Sequence, residues 1–258
     1  MLADVVDLER HPIHDPGYRR TCQRELARTG VVVLTRFVRS ETVAAVVRAF
    51  EDREAEAFYA TTTHNVWLTP PDPGLGADHV FNRQVVSTKG LWADDQISAE
   101  SPLKKLASDE AFRALIAETV GLDQIHPYAD PLSSVNMHVH RDGQELGWHF
   151  DNSAFAVTAL FRAPQAGGVF EFVPEVRSSA TGDDGHAAVA DVLNGDRAIQ
   201  NLTIAPGDLV IFRGRDSLHR VTPSVGPVSR LLAVFAYNER PGVSLSESAM
   251  ETFYGRTP

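Results

Sequence analysis

The sequence predicts a mainly β domain in which the helices come first and flank a sandwich or barrel of short strands. Three observations lead to this prediction. Helical segments with capping residues fill the first part of the chain, short apolar or alternating runs follow, and turn residues rich in Gly and Pro separate these runs. No internal repeat and no linker between two cores is visible, so the 258 residues are expected to form a single domain.

The first part of the chain is assigned to helical support and a substrate loop, over residues 1–125. Helices are predicted over 16–28, from Glu41 after Ser40, and from Ser108 to Gly121. An apolar run at 31–34 favours a buried strand. Residues 60–100 combine Pro and Gly with scattered aromatic residues, which is typical of a binding loop or lid.

From about Leu132 the pattern changes to strands. Val135, Met137 and Val139 alternate with polar residues, as in a half-buried strand. Further strands are predicted over 155–162, 169–173, 209–212 and 231–235. A polar, Gly- and Asp-rich stretch at 178–198 is interpreted as a surface insertion. The strand-rich core is therefore assigned to 126–240, and 241–258 to a C-terminal closing segment.

Composition narrows the class of protein. The net charge of -10 and the lack of a basic run argue against nucleic-acid binding. The single cysteine excludes an internal disulfide and a thiolate metal cluster. Neither a signal peptide nor an apolar run of about 20 residues is present, so we expect no membrane segment and a cytoplasmic location. The oligomeric state stays open between monomer and homodimer.

The pair His149 and Asp151 carries the strongest functional signal. Residues two apart in a strand point the same way, so both side chains are expected to face the interior. His219 follows an apolar strand and a Pro-Gly-Asp turn, which makes it the expected third ligand. Two imidazoles and one carboxylate form the facial triad that binds non-haem Fe(II) and leaves positions open for oxygen and substrate.

Arg230 begins the apolar strand that follows His219. A buried guanidinium there needs an anionic partner. A dicarboxylate cosubstrate would supply one through a bidentate contact, with the Ser229 hydroxyl as a further contact. An internal ion pair with one of the acidic side chains is the alternative.

These residues resemble the Fe(II)/2-oxoglutarate-dependent oxygenases. The matching motifs are Gly-Trp-His-Phe-Asp, Pro-Gly-Asp-Leu-Val-Ile-Phe and His-Arg-Val-Thr-Pro, and the likeness covers roughly 130–240. The resemblance implies a double-stranded β-helix (jelly-roll) core, 2-oxoglutarate chelated to Fe(II), and Arg230 on its distal carboxylate. Asn136 is a further candidate contact of 2-oxoglutarate. The implied reaction uses O2, releases succinate and CO2, and hydroxylates an unactivated C–H bond.

More narrowly, the chain resembles the small oxygenases related to the free-amino-acid radical halogenases. The reasons are Trp-His-Phe-Asp-Asn, Gly-Gly-x-Phe-Glu-Phe-Val-Pro at 167–174, and Thr-Phe-Tyr-Gly-Arg at 252–256. In those halogenases Gly replaces the carboxylate ligand and leaves room for chloride. Since Asp151 fills that position here, the resemblance implies hydroxylation of a free amino acid and loss of halogenation.

Substrate contacts are predicted from chemistry and from this likeness. The candidates are Arg83 for a carboxylate, Asp130 for an ammonium group, Asn152 beside the triad, and Tyr254 folding back over the pocket. A surface arginine and an ordinary tail anchor are the alternatives for Arg83 and Tyr254. Acidic residues near the site, Asp130, Asp142 and Glu145, favour a cationic amino acid.

Other functions remain open at this point. The same chemistry could act on a nucleotide, a carrier-bound amino acid, a peptide or another natural product. A cupin-like metal site would use His138, His140 and Glu145 without 2-oxoglutarate, although the flanking glycines of that motif are missing. A fold of this class that only binds a small ligand is the remaining alternative.

Overall fold

The computed structural model describes residues 1–258 and contains one large antiparallel sheet with the first five helices of the chain packed against one of its faces. The α-helices are α1 (Leu2–Val5), α2 (Pro16–Thr29), α3 (Ser40–Glu51), α4 (Pro102–Ser108), α5 (Glu110–Val120), α6 (His186–Asn194) and α7 (Glu247–Tyr254). None of them is both long and apolar enough to cross a bilayer. The predicted class, mainly β with flanking helices, is confirmed.

The strands are β1 (Val31–Leu34), β2 (Phe58–His64), β3 (Val85–Trp92), β4 (His126–Pro127), β5 (Val135–His140), β6 (Leu146–His149), β7 (Ala156–Arg162), β8 (Ala166–Gly167), β9 (Phe170–Val173), β10 (Gln200–Leu202), β11 (Leu209–Phe212), β12 (Leu218–Val221), β13 (Ser224–Val225), β14 (Arg230–Phe235) and β15 (Tyr237–Asn238). The large sheet has the order β1-β11-β7-β14-β5-β3-β6-β12-β9-β10, with β2 paired to β3. This curled sheet is the predicted jelly-roll core.

The predicted helices begin and end close to where their capping residues lie. The Asp15 carboxylate accepts hydrogen bonds from the amides of Gly17 and Tyr18 at the start of α2. Gly30 and Gly121 end α2 and α5 in the left-handed conformation, with φ of 76° and 83°. One detail differs, because Ser108 closes α4 and Asp109 caps α5 instead.

Two segments that we expected to be irregular contain regular structure. Much of 60–100 forms the β2–β3 hairpin, whose seven pairs run from Phe58↔Leu91 to His64↔Val85. Its Thr-rich strand suits a pleated sheet, and the Pro residues lie with Gly74 and Gly76 in the connection over 65–84. The insertion at 178–198 contains α6, which forms because Val189 and Val192 bury one face of it.

The two faces of the sheet differ in chemistry. On β5, Val135, Met137 and Val139 belong to the main core of 34 buried residues, which includes residues of helices α2 to α5. The alternate positions carry Asn136, His138 and His140, and they point to the concave face. The concave face is therefore the polar interior in which a site can form.

A second core joins the 65–84 connection to α6 beside β6 and β12. Its members are Val66, Trp67, Trp148, Phe150, Val173, Val176, Val189, Val192 and Leu218. Trp67 stacks on Phe81 with ring centroids 5.1 Å apart and donates its indole N–H to the Asp184 carbonyl at 3.1 Å. This packing fixes the connection against the strands that carry the triad.

Candidate active site

The structure brings the three predicted metal ligands together. His149 ends β6, His219 lies on β12, and the two residues are direct cross-strand partners. Asp151 Oδ1 lies 3.8 Å from His149 Nε2 and 3.5 Å from His219 Nε2. One ligand atom from each residue falls within 4.8 Å of the others, which is the spacing that a single metal ion requires.

Backbone carbonyls orient both imidazoles. His149 Nδ1 lies 2.8 Å from the Gly147 carbonyl oxygen, and His219 Nδ1 lies 3.0 Å from that of Ser217. A carbonyl only accepts, so each Nδ1 carries the proton and each Nε2 keeps a free lone pair. The two lone pairs are thus presented toward Asp151 and a metal between them.

Electrostatics favour the ligand protonation states that a metal needs. Burial lowers the pKa of His149 well below its ordinary value, and the neighbouring His219 lowers it further. Burial tends to raise the pKa of Asp151, but His219, His149 and Lys89 outweigh it and leave that pKa below its usual value. At neutral pH His149 is therefore neutral and Asp151 ionised, as metal binding requires.

Gly214 supports the carboxylate ligand, a role that no sequence pattern indicated. Its carbonyl accepts a hydrogen bond from the Asp151 amide at 3.0 Å. A Cβ at position 214 would lie 1.7 Å from Asp151 Oδ2. Only glycine therefore leaves room for the carboxylate in this orientation.

Arg230 lies at the predicted place on the concave face, directly across from His140. It is 2% exposed, and its guanidinium forms no ion pair with any Asp or Glu. Burial alone lowers its pKa to about 10. The alternative of an internal ion pair does not hold, so Arg230 remains free for an anionic ligand.

Three further nitrogen-bearing side chains lie on the concave face, and of these only Lys89 was not placed there from the sequence. Lys89 Nζ lies 3.5 Å from His138 Nδ1, and both imidazole nitrogens of the buried His140 lack a hydrogen-bond partner. Burial lowers the pKa of Lys89 to about 8, which Asp151 partly opposes, and it lowers the pKa values of His138 and His140 strongly. With Arg230 they form a group of nitrogen bases beside the triad, which we call the basic cluster.

The cupin-like alternative does not fit this arrangement. A cluster of His and acidic side chains with metal-ligand spacing occurs at His149, Asp151 and His219, and none occurs at His138, His140 and Glu145. His140 faces Arg230, a cation that would repel a metal ion.

The predicted minor contacts of 2-oxoglutarate are engaged with protein groups. The Ser229 hydroxyl bonds to Glu54 and Arg162. Asn136 Nδ2 donates to the Leu132 carbonyl at 2.9 Å, and its Oδ1 accepts from the Tyr254 hydroxyl at 3.2 Å. These bonds hold the strand ends and the C-terminal helix in place, so the structure gives both side chains a structural role.

Two of the predicted substrate contacts, Arg83 and Tyr254, are likewise bonded to protein groups. Arg83 is exposed and donates to Asn194 Oδ1 at 2.8 Å and the Leu193 carbonyl at 3.0 Å. It therefore fastens the 65–84 connection to α6 and does not reach the basic cluster. Asn152 is also exposed. Tyr254 is 6% exposed, and it anchors α7 to β5 through Asn136.

Asp130 has no free carboxylate oxygen. Its Oδ1 accepts from the Leu132 amide at 3.0 Å and the Ser133 hydroxyl at 2.7 Å, and Oδ2 accepts from the Leu245 amide at 3.0 Å. Asp142 is exposed and caps a turn at Gly226. Asp130 and Asp142 thus bond to groups of the protein, and the preference for a cationic amino acid stays a prediction.

Comparisons with known proteins agree with this geometry. A family model described as Halogenase D matches residues 81–254. The non-haem α-ketoglutarate-dependent carbocyclase SnoK of nogalamycin biosynthesis is 15% identical, with a TM-score of 0.58 over 93% of this chain and 92% of that chain. HygX from Streptomyces hygroscopicus, solved with nickel, 2-oxoglutarate and hygromycin B, is 14% identical, with a TM-score of 0.57 over 93% and 97%. A prolyl-4-hydroxylase from Pseudomonas putida is 16% identical, with a TM-score of 0.51 over 84% and 97%.

No curated protein matches the sequence. The structural matches establish the fold, and the family match spans well over half of the chain and includes the triad and Arg230. The predicted relationship to the Fe(II)/2-oxoglutarate oxygenases is thereby confirmed. The chain belongs to the Halogenase D family and is, by its fold and its His-Asp-His triad, an Fe(II)/2-oxoglutarate-dependent oxygenase.

Proposed function

We propose that this protein hydroxylates an unactivated C–H bond of a small molecule, a free amino acid in the first instance, and releases succinate and CO2. The observation that carries the proposal is a complete triad with Asp151 in the carboxylate position, beside a buried arginine without an acidic partner. The resemblance of the sequence motifs to the free-amino-acid radical halogenases is what favours an amino acid as the substrate.

The residues present fit Fe(II) and 2-oxoglutarate. The donor set is two imidazole nitrogens and one carboxylate oxygen, which suits Fe(II) and would leave coordination positions open for 2-oxoglutarate and oxygen. Bound iron and 2-oxoglutarate would supply the oxidising chemistry. Arg230 would bind the distal carboxylate through a charge-assisted pair, which the low polarity of its surroundings strengthens.

The other residues of the site orient the metal ligands and exclude water. The Gly147 and Ser217 carbonyls hold the imidazoles in one tautomer, and the Gly214 backbone holds Asp151. The His219 ring packs against Phe170 and Phe212, with centroids 5.5 and 4.9 Å away, and these rings keep water from that side. Such fixed geometry is what directs oxidation to a single C–H bond.

Asp151 is the reason for proposing hydroxylation in a family named for halogenation. Its carboxylate occupies the coordination position that a halide would need, so oxygen transfer is the outcome expected. Asp151→Gly should abolish hydroxylation. Gas-tight turnover assays with and without chloride, with products identified by mass spectrometry, would test this. Unchanged hydroxylation by the variant would refute the ligand assignment.

The first experiment is an anaerobic visible titration with Fe(II) and 2-oxoglutarate. A charge-transfer band that needs both additions would support bidentate chelation. A panel of free amino acids scored by succinate release then tests the substrate class. Iron binding without the band would contradict the proposal and favour a protein that only binds a ligand.

A second substrate class is favoured by the structural neighbours. SnoK and SnoN are described as enzymes of nogalamycin biosynthesis, and HygX was solved with hygromycin B. A larger natural product is therefore the alternative substrate for the same chemistry. Succinate release that stays at background with every free amino acid would move the proposal to this class.

A further inference from the structure

We propose that Lys89 is the second cation of the cosubstrate pocket, and that its ammonium group holds the carboxylate of 2-oxoglutarate nearer the metal while Arg230 holds the distal one. This inference rests on the proposed function and assigns a role to a residue outside the triad and outside Arg230.

Strand register places the two cations on the same face. Gly90 pairs with Val139 and Leu91 pairs with His138 in antiparallel register. The same register places Lys89 opposite His140. His140 in turn pairs directly with Arg230. Neighbouring strands lie about 4.8 Å apart, so the backbones of Lys89 and Arg230 are separated by roughly 10 Å across β5. Two long side chains from these positions can hold both ends of a five-carbon diacid.

Neither cation forms an ion pair within the protein. Lys89 forms no ion pair, and its one polar contact is His138 Nδ1 at 3.5 Å. Since the ammonium group donates, His138 Nδ1 accepts, and the His138 proton lies on Nε2. Lys89 and His138 remain partly accessible to solvent, as a pocket lining must be if a ligand is to reach it. The free energy lost by burying an unpaired cation would be recovered when a carboxylate binds.

The charges match a dicarboxylate. Lys89 and Arg230 carry two positive charges, while burial keeps His138 and His140 neutral by lowering their pKa values. A neutral His140 with both nitrogens unpartnered can donate one hydrogen bond without adding charge. A 2-oxo acid with a single carboxylate would leave one of the two cations unpaired.

The order along the pocket follows from the order of the strands. β3, which carries Lys89, lies between β5 and β6, and β6 ends at His149. β14, which carries Arg230, lies on the other side of β5. Lys89 therefore lies on the metal side of the basic cluster and Arg230 on the far side.

The test compares two probes on the metal-loaded protein under anaerobic conditions. 2-Oxoglutarate has both carboxylates, whereas 2-oxobutyrate keeps only the one next to the keto group. Lys89→Met should weaken the binding of both probes by a similar factor, roughly 10- to 100-fold, as expected for loss of a charge-assisted bond. Arg230→Met should weaken 2-oxoglutarate alone. Isothermal titration calorimetry measures all six dissociation constants.

Controls separate this role from a structural one. Lys105→Met removes an exposed lysine that pairs with Glu100 and should change neither constant. Removing an unpaired buried charge should leave the melting temperature of Lys89→Met equal to or above that of the wild type, whereas a structural lysine would lower it. Lys89→Gln, a smaller change, should give the same pattern of binding if the methionine variant folds poorly.

Three results would overturn the inference. Unchanged constants for both probes would remove Lys89 from the pocket. Weakening of 2-oxoglutarate alone would place Lys89 on the distal carboxylate. A changed KM for the amino acid with unchanged 2-oxoglutarate binding would assign Lys89 to the substrate. If the wild type itself binds no 2-oxoglutarate, the proposed function fails first.

Discussion

The convex and concave faces of the large sheet use the same strands for opposite purposes. On β5, Val135, Met137 and Val139 pack against the helices, and Asn136, His138 and His140 line the interior. The convex face buries apolar surface, which favours folding. The concave face buries Lys89 and Arg230 without acidic partners, which opposes folding. Apolar burial on the convex face therefore compensates for the unfavourable free energy of the two cations on the concave face.

The largest effect is expected on the concave face, from loss of a metal ligand. His219→Ala should lower succinate release by about a thousandfold or more, roughly 4 kcal/mol of barrier, because a single imidazole and the Asp151 carboxylate would remain to hold the metal. A succinate assay and metal analysis of the purified variant provide the two measurements. His140→Ala is the matched control and should retain its iron, since His140 lies outside the triad. The reverse result would revive the cupin-like site.

A substitution in the core of the convex face should lower the stability of the protein and leave its metal affinity nearly unchanged. Phe235→Ala removes a ring that is 1% exposed and lies 5.5 Å from Phe112, so the free energy of unfolding should fall by about 3–5 kcal/mol. Urea unfolding followed by circular dichroism measures this loss. Metal affinity in the absence of denaturant should stay within about threefold of the wild type. A large loss of metal affinity would show that the two faces are not separable.

Gly214→Ala adds a single methyl group to the concave face, next to the carboxylate ligand. The methyl group overlaps Asp151 Oδ2 and displaces it, so metal affinity should fall by about 10- to 100-fold. Gly76→Ala is the control, because nothing lies within 4 Å of a Cβ at that position. Calorimetric titration with Fe(II) or Ni(II) compares the two variants. Equal affinities would mean that Asp151 adjusts without loss.

The smallest effect is expected from the titration of Lys89. Its pKa in the folded protein is about 8, below the ordinary value of 10.5. Between these two values the unfolded chain binds more protons than the folded one, so stability rises with pH. Between pH 8 and pH 10.5, the free energy of unfolding of the wild type should therefore rise by on the order of 1–2 kcal/mol relative to that of Lys89→Met. Urea unfolding of both proteins at each pH measures the difference. If the free energy of unfolding changes with pH equally in the two proteins, the burial of the ammonium group is contradicted.

The sequence predicted what depends on local spacing. His149 and Asp151 are two apart on one strand, and His219 and Arg230 flank a short hairpin, so their common direction follows from strand geometry. The Gly30 and Gly121 helix ends follow from the same kind of local rule.

What the sequence missed depends on partners far along the chain. Lys89 reaches the site because β3 pairs with β5, whose residues lie about fifty positions later. Arg83 was predicted to bind substrate, yet it bonds to α6 more than a hundred positions away. Asp130 is likewise satisfied by Leu245. Single-sequence patterns contain no information on such pairings, so a charged side chain in a loop cannot be assigned to a pocket or to a structural bond.

The unpaired cations of the concave face have a kinetic consequence for a chain whose net charge is -10. A dianion that approaches from solution meets a repulsive field at long range and attraction only inside the barrel. Dissolved salt weakens the long-range field much more than the buried contacts. Moderate ionic strength should therefore speed the association of a dianionic cosubstrate while leaving its rate of escape nearly constant, the reverse of what a basic surface would produce.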